Sequence, residues 1–482
     1  MRYHFGILVG AIGIFVAADK DGIVALASQN TRVSPIDGSI IALPTQKQLD
    51  YQDKEITALI HFEIATWLDI KFDGCNRDPK LVPNVKRFAP TALNTDQWME
   101  AMTALGAKSA TLVAKHNCGF ATWPSEVKFQ TIDGNTTSYG YTIANSPVGG
   151  VDMVKDFVTS ANKYGLGTGL YYSTVVNNLF NVQKSKVQGG QGPHQLKVTE
   201  EVYDEIVIEQ LTELWKNYGP LTEIWFDGGY SAAQGAKITT MLAELQPDAA
   251  VFNACDLKSG TCLTPHSIRW VGNERGEAPE PNWSTGNTDD GGDPKSPFFN
   301  PAECDTTLYT PTRWFFGDGF PLRNISELVG VYHTTVGRNC ILELDFSPDT
   351  RGLIPDSHVA LYKQLGDFVR TCYNNPINST ETTPQGSDGS YSFKYDTPTL
   401  IDRIVLMEDQ TNGQVIRSYS VYVKMADVPD APWTLVSQGT SVGHKRIDLF
   451  ASQVSVMEVM VNSTFVDVPK WRSVAAHFCD RF

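Results

Sequence analysis

The chain has 482 residues, 41% of them hydrophobic and 19% charged, with a formal net charge of −15. That length suggests two to three domains, and the acidic balance argues against nucleic acid, whose phosphates need a basic surface. The 10 Trp, 18 Tyr and 23 Phe suit sugar stacking and equally suit an aromatic-rich core.

Residues 1–18 read as a secretory signal. Arg2 supplies positive charge, Phe5 to Val16 is apolar, and Ala17-Ala18 offers a small-residue cleavage site, with Ala25-Leu26-Ala27 as a second. The apolar stretch is short for a membrane span and no other segment qualifies. The expectation is a secreted, extracellular protein with no membrane partner. Sequons at Asn135, Asn282, Asn324, Asn378 and Asn462, and 8 cysteines, fit export. Cys255 and Cys262 bracket a short loop and are the easiest disulfide to propose. Without a Cys-x-x-Cys or a histidine cluster, no metal site is expected, and no organic cofactor is implied.

Strand-like and helix-like stretches then alternate. Ile56 to Phe62 reads as a strand, and Thr95 to Leu105 as a helix stopped by Gly106. Ser109 to Ala114 is a strand, Val151 to Tyr164 a helix, Gly167 to Tyr172 a strand and Thr199 to Asn217 a long amphipathic helix. Leu221 to Phe226, Ala249 to Asn253, Ile268 to Val271 and Cys340 to Leu344 complete the strands. The fold class expected is α/β: a (β/α)8-like barrel over residues 45–372. A doubly wound sheet is the alternative, weakened by the lack of a Gly-rich phosphate loop after the first strand.

Residues 373–390 are rich in Asn, Ser, Thr, Pro and Gly and read as a linker. Short alternating strands follow at Tyr391 to Phe393, Asp402 to Met407, Ser418 to Val423, Thr434 to Ser437, Lys445 to Phe450 and Ser455 to Val461. They predict an all-β, jelly-roll-like sandwich over residues 391–482.

The segment Thr222-Glu223-Ile224-Trp225-Phe226-Asp227-Gly228-Gly229 places a carboxylate where a buried strand ends, on the face that carries chemistry in parallel barrels. From this segment alone Asp227 could equally cap the following helix. Other strand ends deliver His61, then Lys115, His116 and Asn117, then Tyr171 and Tyr172. Imidazole and phenol groups at one rim can bond sugar hydroxyls while aromatic faces cover the ring; singly, each His is more often structural. Glycosidic hydrolysis usually needs two carboxyl groups. Glu274 lies nearest its strand end, with Glu277 the runner-up; Glu280, Asp289 and Asp290 follow on the same loop. Glu303 and Asp305 form an acidic pair suited to building the pocket.

Together these segments resemble glycoside hydrolase family 29, the α-L-fucosidases. The resemblance rests on His61-Phe62, Ala114-Lys115-His116-Asn117-Cys118-Gly119-Phe120 with Trp123-Pro124-Ser125, Trp225-Phe226-Asp227-Gly228, Trp270-Val271-Gly272-Asn273-Glu274, Pro301-Ala302-Glu303-Cys304-Asp305 and Gly443-His444-Lys445-Arg446-Ile447. The Val-Gly-Asn-Glu segment and the sandwich look most like the branch preferring α-1,3/1,4-linked fucose. The resemblance implies that Asp227 is the nucleophile and Glu274 the acid/base of a retaining reaction on fucosylated glycans. It gives His61, His116, Asn117, Tyr171, Trp225, Asp73 and Trp314 sugar-contact roles. The sequence departs from the family pattern twice. Asn117 stands where a second histidine is common, and Lys71-Phe72 stands where the family has Glu-Trp, leaving Asp73 as a candidate substitute. Those departures motivate the competing reading, a fucose-binding lectin or pseudoenzyme with little turnover.

Overall fold

The computed structural model describes residues 30–479, except 190–191, 257–260, 384–385 and 429, together with a short antiparallel pairing of Ala17–Ala18 with Val24–Ala25. The apolar stretch expected to be a signal, Phe5 to Val16, lies outside the described residues. Among the described residues no helix is long and apolar enough to cross a membrane.

Eight parallel strands close into a barrel: β1 (Ile56–Ile60), β2 (Ser109–Lys115), β3 (Gly167–Tyr172), β4 (Glu223–Phe226), β5 (Ala250–Phe252), β6 (Ser267–Trp270), β7 (Ala302–Thr306) and β8 (Cys340–Phe346), which returns to β1. A closed parallel barrel displaces the doubly wound alternative. Helices α1 (Gln46–Gln52), α2 (Thr95–Leu105), α3 (Met153–Tyr164), α4 (Glu200–Asn217), α5 (Ala232–Leu245), α6 (Ile325–Thr334) and α7 (Asp356–Tyr373) accompany it. Asn94 caps α2 at its start and left-handed Gly106 closes its end, a side-chain oxygen on orphan amides and a residue without a Cβ penalty. The buried Trp98, Met102 and Leu105 of α2 face the barrel.

Strand alternation sorts the residues of the barrel. Ile224 and Phe226 join the large core between strands and helices, while Trp225 packs inside with Leu59, Val113, Tyr171, Phe252 and Ile341. The same alternation stacks Glu223, Trp225 and Asp227 up the interior of β4. Below them Tyr51 of α1 plugs the floor, its hydroxyl 2.5 Å from Glu223 and bonded also to Glu303. Carboxylate oxygens of Glu223, Glu303 and Glu343 lie within 4.8 Å of one another. Burial, then mutual repulsion, pushes Glu303 and Glu343 well above the usual carboxylate range, so this floor holds protons.

Beyond α7 lies one antiparallel sheet of β9 (Glu381–Thr383), β10 (Tyr391–Glu408), β11 (Ile416–Met425), β12 (Thr434–Gly439), β13 (Arg446–Phe465) and β14 (Trp471–His477). The sequence reading breaks β10 and β13 into two strands each. Both run through, with register shifts at Lys394/Thr399 and Ile401/Arg403 that bend the pair, as bulges do. β9 also falls inside the stretch read as linker. A separate core around Ile401, Ile404, Val421, Val459 and Val461 holds the sheet together. It docks on the barrel through Lys445 Nζ to Glu55 at 2.5 Å, His444 N to Asn339 Oδ1 at 2.7 Å, and Arg446 with Glu280. Disulfides join Cys75–Cys118, Cys255–Cys262, Cys304–Cys340 and Cys372–Cys479. The second is the pair that sequence spacing suggests.

Candidate active site

Asp227 follows β4 directly, at the carboxyl-end rim. Gly228 and Gly229 both take positive φ, at 69° and 88°, and a Cβ on Gly228 would stand 2.8 Å from Val175. The turn therefore needs glycine there. Asp227 does not cap the following helix: Ser231 caps α5, in a capping box with Gln234. The Asp227 carboxylate instead accepts a 2.6 Å hydrogen bond from the Tyr171 hydroxyl. Registered beside it on β3 and β4, Tyr171 and Trp225 stack at 4.9 Å, and Trp225 stacks on Phe252 at 4.0 Å. The Trp225 indole donates to Glu303 at 3.0 Å, so the ring is fixed from below.

Asp227, Trp225, Trp270, Glu274 and Asp305 line one cavity of about 480 Å³. Glu274 sits just beyond β6 with φ +51°, a left-handed conformation that a non-glycine residue holds only when its surroundings impose it. Its carbonyl accepts from Thr306 Oγ1 at 3.1 Å. Burial raises the Glu274 carboxyl above its ordinary range, repulsion from Asp227 and Asp73 adds to that, and a hydrogen bond from the Trp314 indole opposes it. Glu277 differs. It is exposed, does not line the cavity, and faces Arg338 and Arg275 at 3.8 and 4.0 Å. Asp305 accepts from the Trp270 indole at 2.8 Å, and burial lifts it to about 7.

An aromatic enclosure adjoins the cavity. The His61 ring lies 5.4 Å from His116, 5.9 Å from Tyr171 and 5.0 Å from Trp314, and His116 stacks on Tyr171 at 5.6 Å. Burial holds His61 down to about 4 and His116 to about 3, so both are neutral hydrogen-bonding groups. His61 Nδ1 is 2.7 Å from Asp345 of β8, whose carboxyl burial pushes well up. A neutral pair has the Asp345 hydroxyl donating to Nδ1, which leaves Nε2–H as a donor for a ligand hydroxyl. Asp345 escaped the sequence reading, which ended β8 at Leu344; its signal was the one that marked Asp227, a carboxylate at a strand end.

Two of the expected sugar contacts have protein partners of their own. Asn117 Oδ1 accepts from Cys75 N at 2.8 Å, beside the Cys75–Cys118 disulfide. The Asp73 carboxylate accepts from the backbone amides of Trp314 (3.0 Å) and Phe315 (2.9 Å). Asp73 thus positions Trp314, and Asn117 ties the Cys75 loop to the His116 strand end. Lys71 is exposed with its ammonium 5.2 Å from the Phe72 ring.

A model of the alpha-L-fucosidase family matches residues 48–373, the barrel and its helices. The chain is similar to alpha-L-fucosidase 1 of Arabidopsis thaliana, at 24% identity over 477 residues covering 89% of this chain and 86% of that protein. It is similar to a solved Bacteroides thetaiotaomicron structure named for the same family, with TM-score 0.79, 27% identity and coverage of 91% of this chain and 100% of that one. A Ruminococcus gnavus glycoside hydrolase 29 fucosidase solved in complex with fucose shares the fold, with TM-score 0.72 and 19% identity over 93% of this chain and 97% of that one. The chain belongs to the alpha-L-fucosidase family, glycoside hydrolase family 29, whose members are enzymes acting on fucosides.

Proposed function

We propose that this protein is a secreted, retaining α-L-fucosidase that removes terminal fucose, α-1,3/1,4-linked, from glycans. The observation that carries the reading is Asp227 and Glu274 lining one cavity beside the His61, His116, Tyr171 and Trp314 rings. In the retaining mechanism Asp227 attacks the anomeric carbon while protonated Glu274 gives its proton to the leaving oxygen. Water, deprotonated by Glu274, then cleaves the fucosyl ester. The raised Glu274 carboxyl suits the first step, because it stays protonated at a higher pH than an ordinary glutamate. His61 and His116 bond hydroxyls without changing charge, and Trp314 covers the ring. Trp225 closes the floor.

Export is supported by four disulfides, which belong to oxidising compartments. Of the five sequons, Asn135, Asn324, Asn378 and Asn462 are exposed. Asn282 is 1% exposed, its amide donating to the Arg338 and Asn339 carbonyls at 2.9 Å each. Glycan mapping of the exported protein should find sugar among the first four and none at Asn282. The activity itself is tested with Asp227→Asn. If the folded variant releases nitrophenol from a nitrophenyl α-L-fucoside as fast as wild type, the reading is abandoned.

A further inference from the structure

The proposed function puts the sugar on the Asp227 side of the cleft and leaves the other side open. Resting on the fucosidase reading, the leaving group must extend past Glu274, because Glu274 protonates the oxygen that departs. The cavity continues there toward Asp256, Asn287 and Asp289. Five carboxylates line it in all, those of Asp227, Asp256, Glu274, Asp289 and Asp305. The one cation among the described lining residues is Arg269. Its guanidinium is buried and turned to protein carbonyls, Trp283 O at 2.9 Å and Thr288 O at 3.3 Å, together with Asp290 O and Asn282. Those partners take its terminal N–H groups, and the one donor left over, Nε, is enclosed in protein.

Asp289 is placed differently. It is exposed at the cavity mouth. Its backbone carbonyl accepts from Gly272 N at 2.9 Å, which binds it to the strand end that carries Glu274. Its Oδ2 stands 3.4 Å from where a Cβ on Gly272 would project. No described side chain donates a hydrogen bond to that carboxylate; the buried Arg269 guanidinium attracts it only through space, and the exposed side chain borders the cavity that the leaving group would enter.

We propose that the leaving-group side of the cleft selects neutral glycans and excludes those carrying a sulfate or carboxylate next to the fucosyl linkage, with Asp289 as the main determinant. Two like charges about 7 Å apart, at an effective dielectric of about 40, disfavour association by roughly tenfold. Nor does any cation among the described lining residues stand free to replace the hydration that a sulfate would give up.

The test uses matched fucosyl oligosaccharides on the linkage the enzyme cleaves, differing only by a sulfate ester on the sugar that bears the fucose. The readout is the ratio of kcat/KM, neutral over sulfated, within each protein. Wild type at low salt should favour the neutral compound by about tenfold or more. The ratio should shrink at about 0.5 M salt, where the screening length falls to roughly 4 Å, and should shrink several-fold in Asp289→Asn. Equal rates, or a ratio indifferent to both salt and Asp289→Asn, would overturn the proposal. Should Asp289→Asn fail to fold, the salt series on wild type and Asp289→Ser decide instead. A nitrophenyl fucoside run alongside separates the two readings. If it too is inert, the fucosidase reading falls and this proposal with it; if it is turned over while the sulfate makes no difference, only the discrimination falls.

Discussion

Replacing Tyr171 by Phe deletes one atom and isolates the 2.6 Å bond to Asp227. The ring stack on Trp225 at 4.9 Å and on His116 at 5.6 Å survives, so no cavity forms and the melting temperature should fall by no more than a few degrees. A hydrogen bond to a charged group contributes about 1.5–3 kcal/mol. In the proposed retaining mechanism that bond is strong while Asp227 is a free carboxylate and weak once the carboxylate has become an ester. Its loss therefore destabilises the free enzyme and the ester-breaking transition state, where negative charge returns to the leaving carboxylate. With about half the charge returned, the penalty is roughly 0.8–1.5 kcal/mol, or a four- to twelvefold slowing of the second step. The first step gains no such penalty, since its starting carboxylate is destabilised too. Rapid mixing with a nitrophenyl fucoside should show kcat falling well beyond kcat/KM, with a burst of nitrophenol that reports accumulated ester. A parallel fall of both constants without a burst would refute this account and assign Tyr171 to sugar binding alone. Unchanged kinetics would remove it from the site.

Glu274→Gln should lower kcat/KM about 10²- to 10⁴-fold on fucosides with poor leaving groups, and azide should rescue Glu274→Ala; Glu277→Gln should stay within about threefold, because its carboxylate faces Arg338 outside the cavity. Trp314→Phe removes the indole donor that favours ionised Glu274. The Glu274 carboxyl then rises further, and the basic limb of the kcat/KM profile should move to higher pH. A shift to lower pH would contradict that sign. The Cys75→Ser/Cys118→Ser double variant opens a bridge across a sequence separation of 43. It should lose about 4 kcal/mol in denaturant melts and raise KM for fucosides, since the bridge sits beside Asn117 and His116.

The barrel was legible wherever a strand was an unbroken apolar run, as at Ile56–Ile60 and Ser109–Ala114, because both faces of such strands are buried. β7 was not, since Ala302-Glu303-Cys304-Asp305-Thr306 puts two acids on its inward face, and buried acids look like loop in a sequence. The rim residues His61, Tyr171 and Asp227 were found by their position at strand ends. Asn117 and Asp73 were given sugar contacts as stand-ins at the two places where the sequence departs from the family pattern. Their partners, the amides of Cys75 and Trp314, come from loops whose approach no local pattern encodes. β10 and β13 were divided because bulges interrupt their alternation, which is the signal the reading used.

The Cys372–Cys479 bridge joins the last barrel helix to the far end of the sheet domain, across a separation of 107 residues. The whole domain is thereby a covalent ring hung from the barrel. A protease that nicks the chain anywhere in that ring releases nothing: the cut ends stay attached through sulfur, and two fragments separate on a gel only after a thiol is added. A cut inside the ring sheds the sheet domain from the barrel only if a second, reductive event follows the hydrolytic one.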